Sequence, residues 1–283
     1  MTDSTPPYGR PQPPPTRSGA APRAAGQGPA PLWRTLLYIL VPTVGVLVLV
    51  AAFVLALSGR SGPVDLRVDE APGTSLSVQI PNAAMSLEAS PDEAVHVRMT
   101  GSFFGTEPTL TLQTDGGVTE VRGGCRNQLF SRCALTVVVQ LPRALPVTVV
   151  GENGRVTASG LTGRVTLSTT NGAIETDGTV GQVDLQTTNG DIRVLAATSK
   201  AVSTTTTNGS VELSFADAPD AVVARSTNGS ITVRVPVSGV SYLVTAQTTN
   251  GTVNTDSVPS DSTSRRSIAA QTTNGAITVE AAG

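Results

Sequence analysis

The feature that most constrains this chain is a repeated corner. Asn-Gly occurs at Asn153, Asn171, Asn189, Asn208, Asn228, Asn250 and Asn274, and Thr stands immediately before the Asn in six of the seven. The interval between corners grows from 18 to 24 residues, with the slack falling between the units. Aligning the units on Asn exposes apolar columns. Six residues before it stand Val147, Val165, Val183, Val202, Val222, Val244 and Ile268. Three residues after it stand Val156, Ile174, Ile192, Val211, Ile231, Val253 and Ile277. A column four residues before the Asn runs from Val149 through Leu167 and Leu185 to Ala270. Thr, Ser, Gln and charged residues lie between the columns, so each unit reads as strand, corner, strand with one buried face.

Two architectures satisfy this pattern. Asn-Gly between alternating strands is a strong hairpin signal, because a type I′ turn needs positive φ at both central residues. That gives an antiparallel meander. The other is an all-β solenoid, each unit one coil, with like residues stacked on like and Asn-Gly forming a left-handed corner. Near-identity at every register favours the solenoid, which at about 4.8 Å per strand would extend some 30–35 Å over seven coils. Residues 64–146 carry the same alternation in worn form. Leu76, Val78 and Ile80 run to Asn82, followed by Met85 and Leu87. Val95, Val97 and Met99 form another strand, as do Val137, Val139 and Leu141 before Pro142.

The N-terminal region is of different chemistry. Residues 1–31 are Pro-rich and offer nothing to bury, so they read as a disordered tail, in which Arg10 to Pro15 could dock in an aromatic groove. Leu36 to Leu57 carries no charge. As a helix it spans about 33 Å against a hydrocarbon core of about 30 Å, flanked by Trp33, Tyr38, Arg34 and Arg60. The expected layout is a cytoplasmic tail (1–31), a transmembrane helix (32–58), a linker (59–75) and an extracytoplasmic β-repeat domain (76–283). Arg10, Arg17, Arg23 and Arg34 on the N-terminal side of the apolar stretch place the tail on the cytoplasmic side of a plasma membrane. The net charge of −2, with acids in excess beyond the helix, argues against a nucleic-acid partner. Cys125 and Cys133 are the only cysteines, and in an oxidising compartment such a pair closes a disulfide loop.

The run Leu141-Pro142, Val147-Thr148-Val149, Gly163-Arg164-Val165 and the repeated Thr-Asn-Gly units resemble the bacterial putative-adhesin family built on domain of unknown function 4097. The resemblance covers roughly residues 76–280 and implies a β-solenoid-like fold on the cell envelope, often behind an anchor helix. It supplies no catalytic residues.

A glycan-cleaving β-helix enzyme would need paired carboxylates on one face. The position four residues after the Asn supplies Glu175, Arg193 and Glu212, but a solvated cross-strand ladder is the favoured reading, since no aromatic residue other than Phe215 lies in those coils to receive a sugar ring. His96, the sole histidine, falls at an outward strand position. The Thr column of Thr170, Thr188, Thr207, Thr227, Thr249 and Thr273 is a candidate surface-binding row, and its bland reading is stabilisation of the corner. Asp217 with Asp220, and Asp256 with Asp261, offer too few oxygens for calcium. The expectation is therefore a non-enzyme without cofactor or metal. Its role is adhesive or structural, with an envelope glycan or protein as partner. Alternatives are a glycan-binding or glycan-cleaving β-helix and an envelope-stress accessory protein. The last unit, Gln271 to Glu280, reads as an uncapped terminal coil available for self-association.

Overall fold

The computed structural model describes residues 32–57, 60–125 and 132–282. The Pro-rich tail of residues 1–31, with the expectations attached to it, lies outside these. Two units separate at Leu57.

The first is helix α1 (Leu32–Leu57). Within it, Leu36–Phe53 is long and apolar enough to cross a membrane. Pro42 lies inside the helix, and the Thr43 hydroxyl donates to the Leu40 carbonyl at 2.9 Å, satisfying one polar group within the apolar stretch.

The second unit is a β-solenoid of two sheets, with 11 and 10 strands. Its irregular part comprises β1 (Arg60–Glu70), β2 (Ser75–Gln79), β3 (Ala84–Ala89), β4 (Val95–Gly105), β5 (Thr109–Asp115), β6 (Val118–Gly124) and β7 (Arg132–Leu141). The regular coils are strand pairs flanking an Asn-Gly corner. They are β8 (Val147–Val150) with β9 (Val156–Ser159), β10 (Val165–Asn171) with β11 (Ile174–Asp177), β12 (Val183–Asn189) with β13 (Ile192–Ala197), and β14 (Ala201–Asn208) with β15 (Val211–Phe215). Three more follow: β16 (Ala221–Asn228) with β17 (Ile231–Pro236), β18 (Leu243–Asn250) with β19 (Val253–Asn254), and β20 (Ser267–Asn274) with β21 (Ile277–Ala282).

The strands either side of a corner do not pair with each other. Each pairs in parallel with its copy one coil away, as Val165 with Val183 and Ile174 with Ile192. This excludes the hairpin meander. In-register stacking places every apolar column in the space between the sheets. Val165, Val183, Val222 and Ile268 are fully buried, as are Ile192 and Ile231. Each such side chain contributes about 1.5–3 kcal/mol by its burial.

Three expectations need correction. Residues 60–70, expected within a linker, form β1, the edge strand that pairs antiparallel with β4 along its whole length. Its alternating Val64, Leu66 and Val68 pack on the core, a signal hidden by the surrounding charges. The corner Asn is not left-handed either. Besides glycines, only Glu93 and Ala196 have positive φ among the described residues. The corner glycine is needed for close approach instead. A Cβ on Gly209 would lie 2.0 Å from the Gly190 carbonyl oxygen, and one on Gly190 would lie 2.1 Å from that of Gly172.

The third correction concerns the order of coils. The sheets run β14-β16-β20-β18 and β15-β17-β21-β19. The last coil in sequence is thus inserted between the Asn228 and Asn250 coils, paired on both sides. Gln271 to Glu280 is interior, and the outermost coil is Leu243–Asn254.

At the opposite end, the β2/β3 coil stacks in parallel on β8/β9 and also on β6 and β7. There the direction reverses: β4 runs antiparallel to β7, β1 to β4, and β5 to β6. β1 and β5 then meet across the end of the core.

Candidate functional site

Three surfaces gather the chain's polar chemistry, and the corner edge is the most ordered. Each corner Asn Nδ2 donates to the Oδ1 of the Asn on the neighbouring coil. The ladder begins at Asn82 and runs through Asn153, Asn171, Asn189, Asn208, Asn228 and Asn274 to Asn250, with bonds of 2.6–2.9 Å. Asn82, met in the sequence as a slipped corner, is the first rung. Beside the ladder, Thr170, Thr188, Thr207, Thr227, Thr273 and Thr249 are all exposed, and they succeed one another in space in that order.

Stabilisation of the corner belongs to the other Thr of the pair. In five of the coils the side chain two residues before the Asn turns inward, and its hydroxyl donates to the corner-glycine carbonyl of the adjacent coil. Thr187 reaches Gly172 at 3.0 Å, Thr206 reaches Gly190 at 3.0 Å and Ser226 reaches Gly209 at 2.9 Å. Thr272 and Thr248 do the same to Gly229 and Gly275, each at 2.9 Å. The inward hydroxyl is therefore committed and the outward one is exposed. Strand alternation alone distinguishes them, a signal legible in the sequence once the Thr pair is read residue by residue.

The second surface is the outward face of the other sheet. Glu175, Arg193 and Glu212 lie at matched positions on consecutive strands. Arg193 Nε reaches Glu212 at 3.2 Å, and Arg155 reaches Glu175 at 3.2 Å. Arg234 joins Glu212 and also Glu280, at 2.6 Å to the latter. The hydrogen bond from Arg234, joined by Arg193, holds the Glu212 carboxyl below the usual carboxylate range, against burial that raises it. A general acid would need the opposite shift. This geometry is that of a paired ladder.

The third surface lies on the antiparallel end. His96 Nδ1 stands 2.7 Å from Asp69, and Nε2 stands 2.8 Å from Asp92. Hydrogen bonds to Asp92 and then Asp69 raise the imidazole above its ordinary pKa, and the bond from His96 brings Asp92 down to about 2. Arg98 forms a bidentate pair with Asp65 at 3.1 Å. An open depression lined by Arg67, Asp69, His96, Arg98 and Gln140 together with Val97 and Val138 lies here. The histidine expected at an outward strand position therefore bridges two carboxylates, which come from β1 and the turn before β4 and are separated from each other in sequence.

Cys125 and Cys133 are joined in a disulfide, with Cα atoms 6.4 Å apart. Among the described residues no group of three or more His, Cys, Asp or Glu is placed to hold a metal. Asp220 pairs with Arg266 at 2.7 Å, and Asp261 caps its own turn through Thr263. Tyr242 lies outside every column of the repeat, and nothing in the sequence singles it out. Its ring is fully buried beside the outermost coil, and its hydroxyl has no partner.

Among solved structures, the chain is similar to a protein from Clostridium sporogenes described as a putative cell adhesion protein. The identity is 11%, with 78% of this chain and 100% of that chain covered and a TM-score of 0.38. It is also similar to a putative adhesin from Bacteroides fragilis at 13% identity, covering 77% and 97% of the two chains with a TM-score of 0.45. A third, a putative adhesin from Parabacteroides distasonis, has 12% identity, coverage of 79% and 98%, and a TM-score of 0.42. Likenesses this distant say nothing about activity. No curated protein matches the chain in sequence. Residues 139–282, half of the chain and all of its regular coils, match the Toastrack DUF4097 family model, and the chain belongs to that family.

Proposed function

We propose that this chain is a non-enzymatic bacterial envelope protein, held in the plasma membrane by α1 with its tail in the cytoplasm. It presents the β-solenoid outside, where its ordered surface adheres to an envelope glycan or protein. The observation that carries this reading is the corner edge, where six exposed Thr hydroxyls lie beside a continuous Asn ladder. Side chains there repeat at the strand spacing of about 4.8 Å on a scaffold that cannot shift register without unstacking the core. A surface of that kind suits recognition of a repeating polymer. The Arg–Glu ladder on the other face is already internally neutralised.

The test is binding of the full chain, in lipid nanodiscs, to purified cell-wall polysaccharides and peptidoglycan, with product release followed in parallel. Saturable binding that weakens at least tenfold in Thr207→Lys/Thr227→Lys is expected, with no sugar released. Release of sugar would overturn the non-enzymatic reading and bring Glu175, Arg193 and Glu212 forward. Absence of binding to every polymer would remove the glycan as partner.

A further inference from the structure

All seven corners share the sequence Asn-Gly, yet one of them is held differently from the rest. In an interior corner the Asn amide is bonded on both sides. Asn208 Nδ2 donates to Asn189, and its Oδ1 accepts from Asn228. The nitrogen of the following glycine is committed as well. Gly209 N–H donates to the Asn228 carbonyl at 3.0 Å, and Gly229 N–H to that of Asn274 at 2.9 Å. This backbone series ends at Gly275, whose N–H donates to the Asn250 carbonyl at 3.0 Å. At the outermost corner Asn250 Nδ2 donates to Asn274 at 2.8 Å. Among the described residues nothing donates to the Asn250 Oδ1, and nothing accepts from the Gly251 N–H. Gly251 is exposed, whereas the other corner glycines are half-buried. The segment between β19 and β20 covers the other end of β18. Ser260 bridges Tyr242, which precedes that strand, whereas Asn250 is its last residue.

We propose that Asn250-Gly251 is a site of self-modification, at which the chain deamidates through a succinimide while its other corners are protected. Gly251 N attacks Asn250 Cγ. The N–Cγ bond forms, the Cγ–Nδ2 bond breaks, and Nδ2 leaves as ammonia with the proton that Gly251 N gives up. Water then opens the ring at either carbonyl, leaving aspartate or isoaspartate. Water is the only co-reactant. A glycine after the Asn favours ring closure, because no Cβ obstructs the approach. The step needs the Asn side chain to turn toward its own backbone and the glycine N–H to be free. At Asn208 that breaks two side-chain bonds and one backbone bond, and at Asn250 it breaks one side-chain bond. Two bonds of ordinary net strength correspond to roughly tenfold or more in rate. An end coil with a neighbour on one side also opens locally more readily than an interior one. The opposite end of the ladder is protected by its sequence. Its first rung, Asn82, is followed by Ala83, whose methyl group hinders ring closure.

The product changes the end of the stack. Asn250 Nδ2 is the donor of the last rung, and deamidation puts a carboxylate oxygen in its place, acceptor against the Asn274 Oδ1 acceptor. Leu243 to Asn254 contains no charged residue, so nothing on that coil neutralises the new charge. Conversion therefore loosens the outermost coil irreversibly and leaves the interior coils bonded as before.

The full chain is incubated in detergent micelles in mildly alkaline buffer, and conversion is followed by peptide mass spectrometry. Cleavage after Lys200, Arg225, Arg234 and Arg266 places Asn208, Asn228, Asn250 and Asn274 on separate peptides. All four have Thr before and Gly after, so in the urea-unfolded chain their rates should agree within about twofold. In the folded protein Asn250 should convert at least tenfold faster than the other three, and Gly251→Ala should slow it at least tenfold. Equal rates at the four corners of the folded protein, or faster conversion at an interior one, would overturn the proposal. Amide exchange at Gly275 reads the consequence, and Asn250→Asp should speed it tenfold or more. Exchange unchanged in that variant would overturn the loosening and leave the modification site standing.

Discussion

At the β1–β7 end the stack closes with strands that run against it, and at the β18/β19 end it stops on a coil of the repeat that only its own return segment covers in part, through the Tyr242–Ser260 bridge and the buried Val258. The antiparallel strands reverse the hydrogen-bonding pattern, place five charged residues on the outer edge strand β1, and bring β1 against β5 across the core. The outermost coil has no such reversal of strand direction. It has the columns of an interior coil without a further coil outside it, so Leu243 and Val253 stay exposed although Tyr242 and Val258 are buried. A repeat therefore guarantees stacking but not termination. An end must be built from something that breaks the repeat, as the antiparallel strands do at one end and the segment around Val258 does in part at the other.

The sharpest way to break this comparison is at the corner glycines. Gly209→Ala puts a methyl group against a backbone carbonyl held from both sides, and it should lose about 3 kcal/mol or more. Gly251→Ala meets the same clash with Gly275, but on a coil free to move outward. Urea unfolding of the two variants should show the smaller loss at Gly251, and equal losses would mean that the outer coil is as constrained as the interior. Next come the columns. Ile231→Ala should cost about 3 kcal/mol as an interior truncation, and Val253→Ala under about 1 kcal/mol.

The Asn ladder should show a smaller contrast. Asn208→Ala removes two rungs, worth roughly 1–2 kcal/mol, and Asn250→Ala removes one, worth about half of that. The smallest effect is expected at the capped end. Folding raises the His96 pKa, so its contribution is full below an ordinary imidazole value of about 6.5 and fades as pH rises through the raised folded value. Wild-type Tm should therefore fall relative to that of His96→Gln across this window. Parallel Tm-against-pH curves for the two would dismiss the bridge to Asp69 and Asp92 as an energetic contributor.

Much of the fold is legible because in-register stacking writes itself into sequence. Val165, Val183 and Val222 recur because each touches its own copy, and so do Ile174 and Ile192. The exposed Thr row and the Glu175–Arg193–Glu212 juxtaposition follow from the same periodicity. The reason for the corner is ambiguous in sequence, since Asn-Gly favours both a turn with positive φ and a backbone approached by another backbone. Only the stacked coils put the Gly190 oxygen above Gly209. The His96 bridge is hidden because Asp69 lies 27 residues away, on a strand masked by its own charges.

The sequence alone determined the unit: its length, its buried columns, its corner and the apolar helix that precedes it. The tertiary structure decided the order of the units. Every coil offers the same apolar columns and the same Asn to its neighbour, so the columns cannot tell which coil follows Asn228. The choice falls to contacts outside the repeat. Arg234 pairs with Glu280, while Arg266 pairs with Asp220 and donates to the carbonyls of Ala218 and Pro219. These bonds draw β20 and β21 against β16 and β17, and the Asn250 coil is left at the end because the place beside Asn228 is taken.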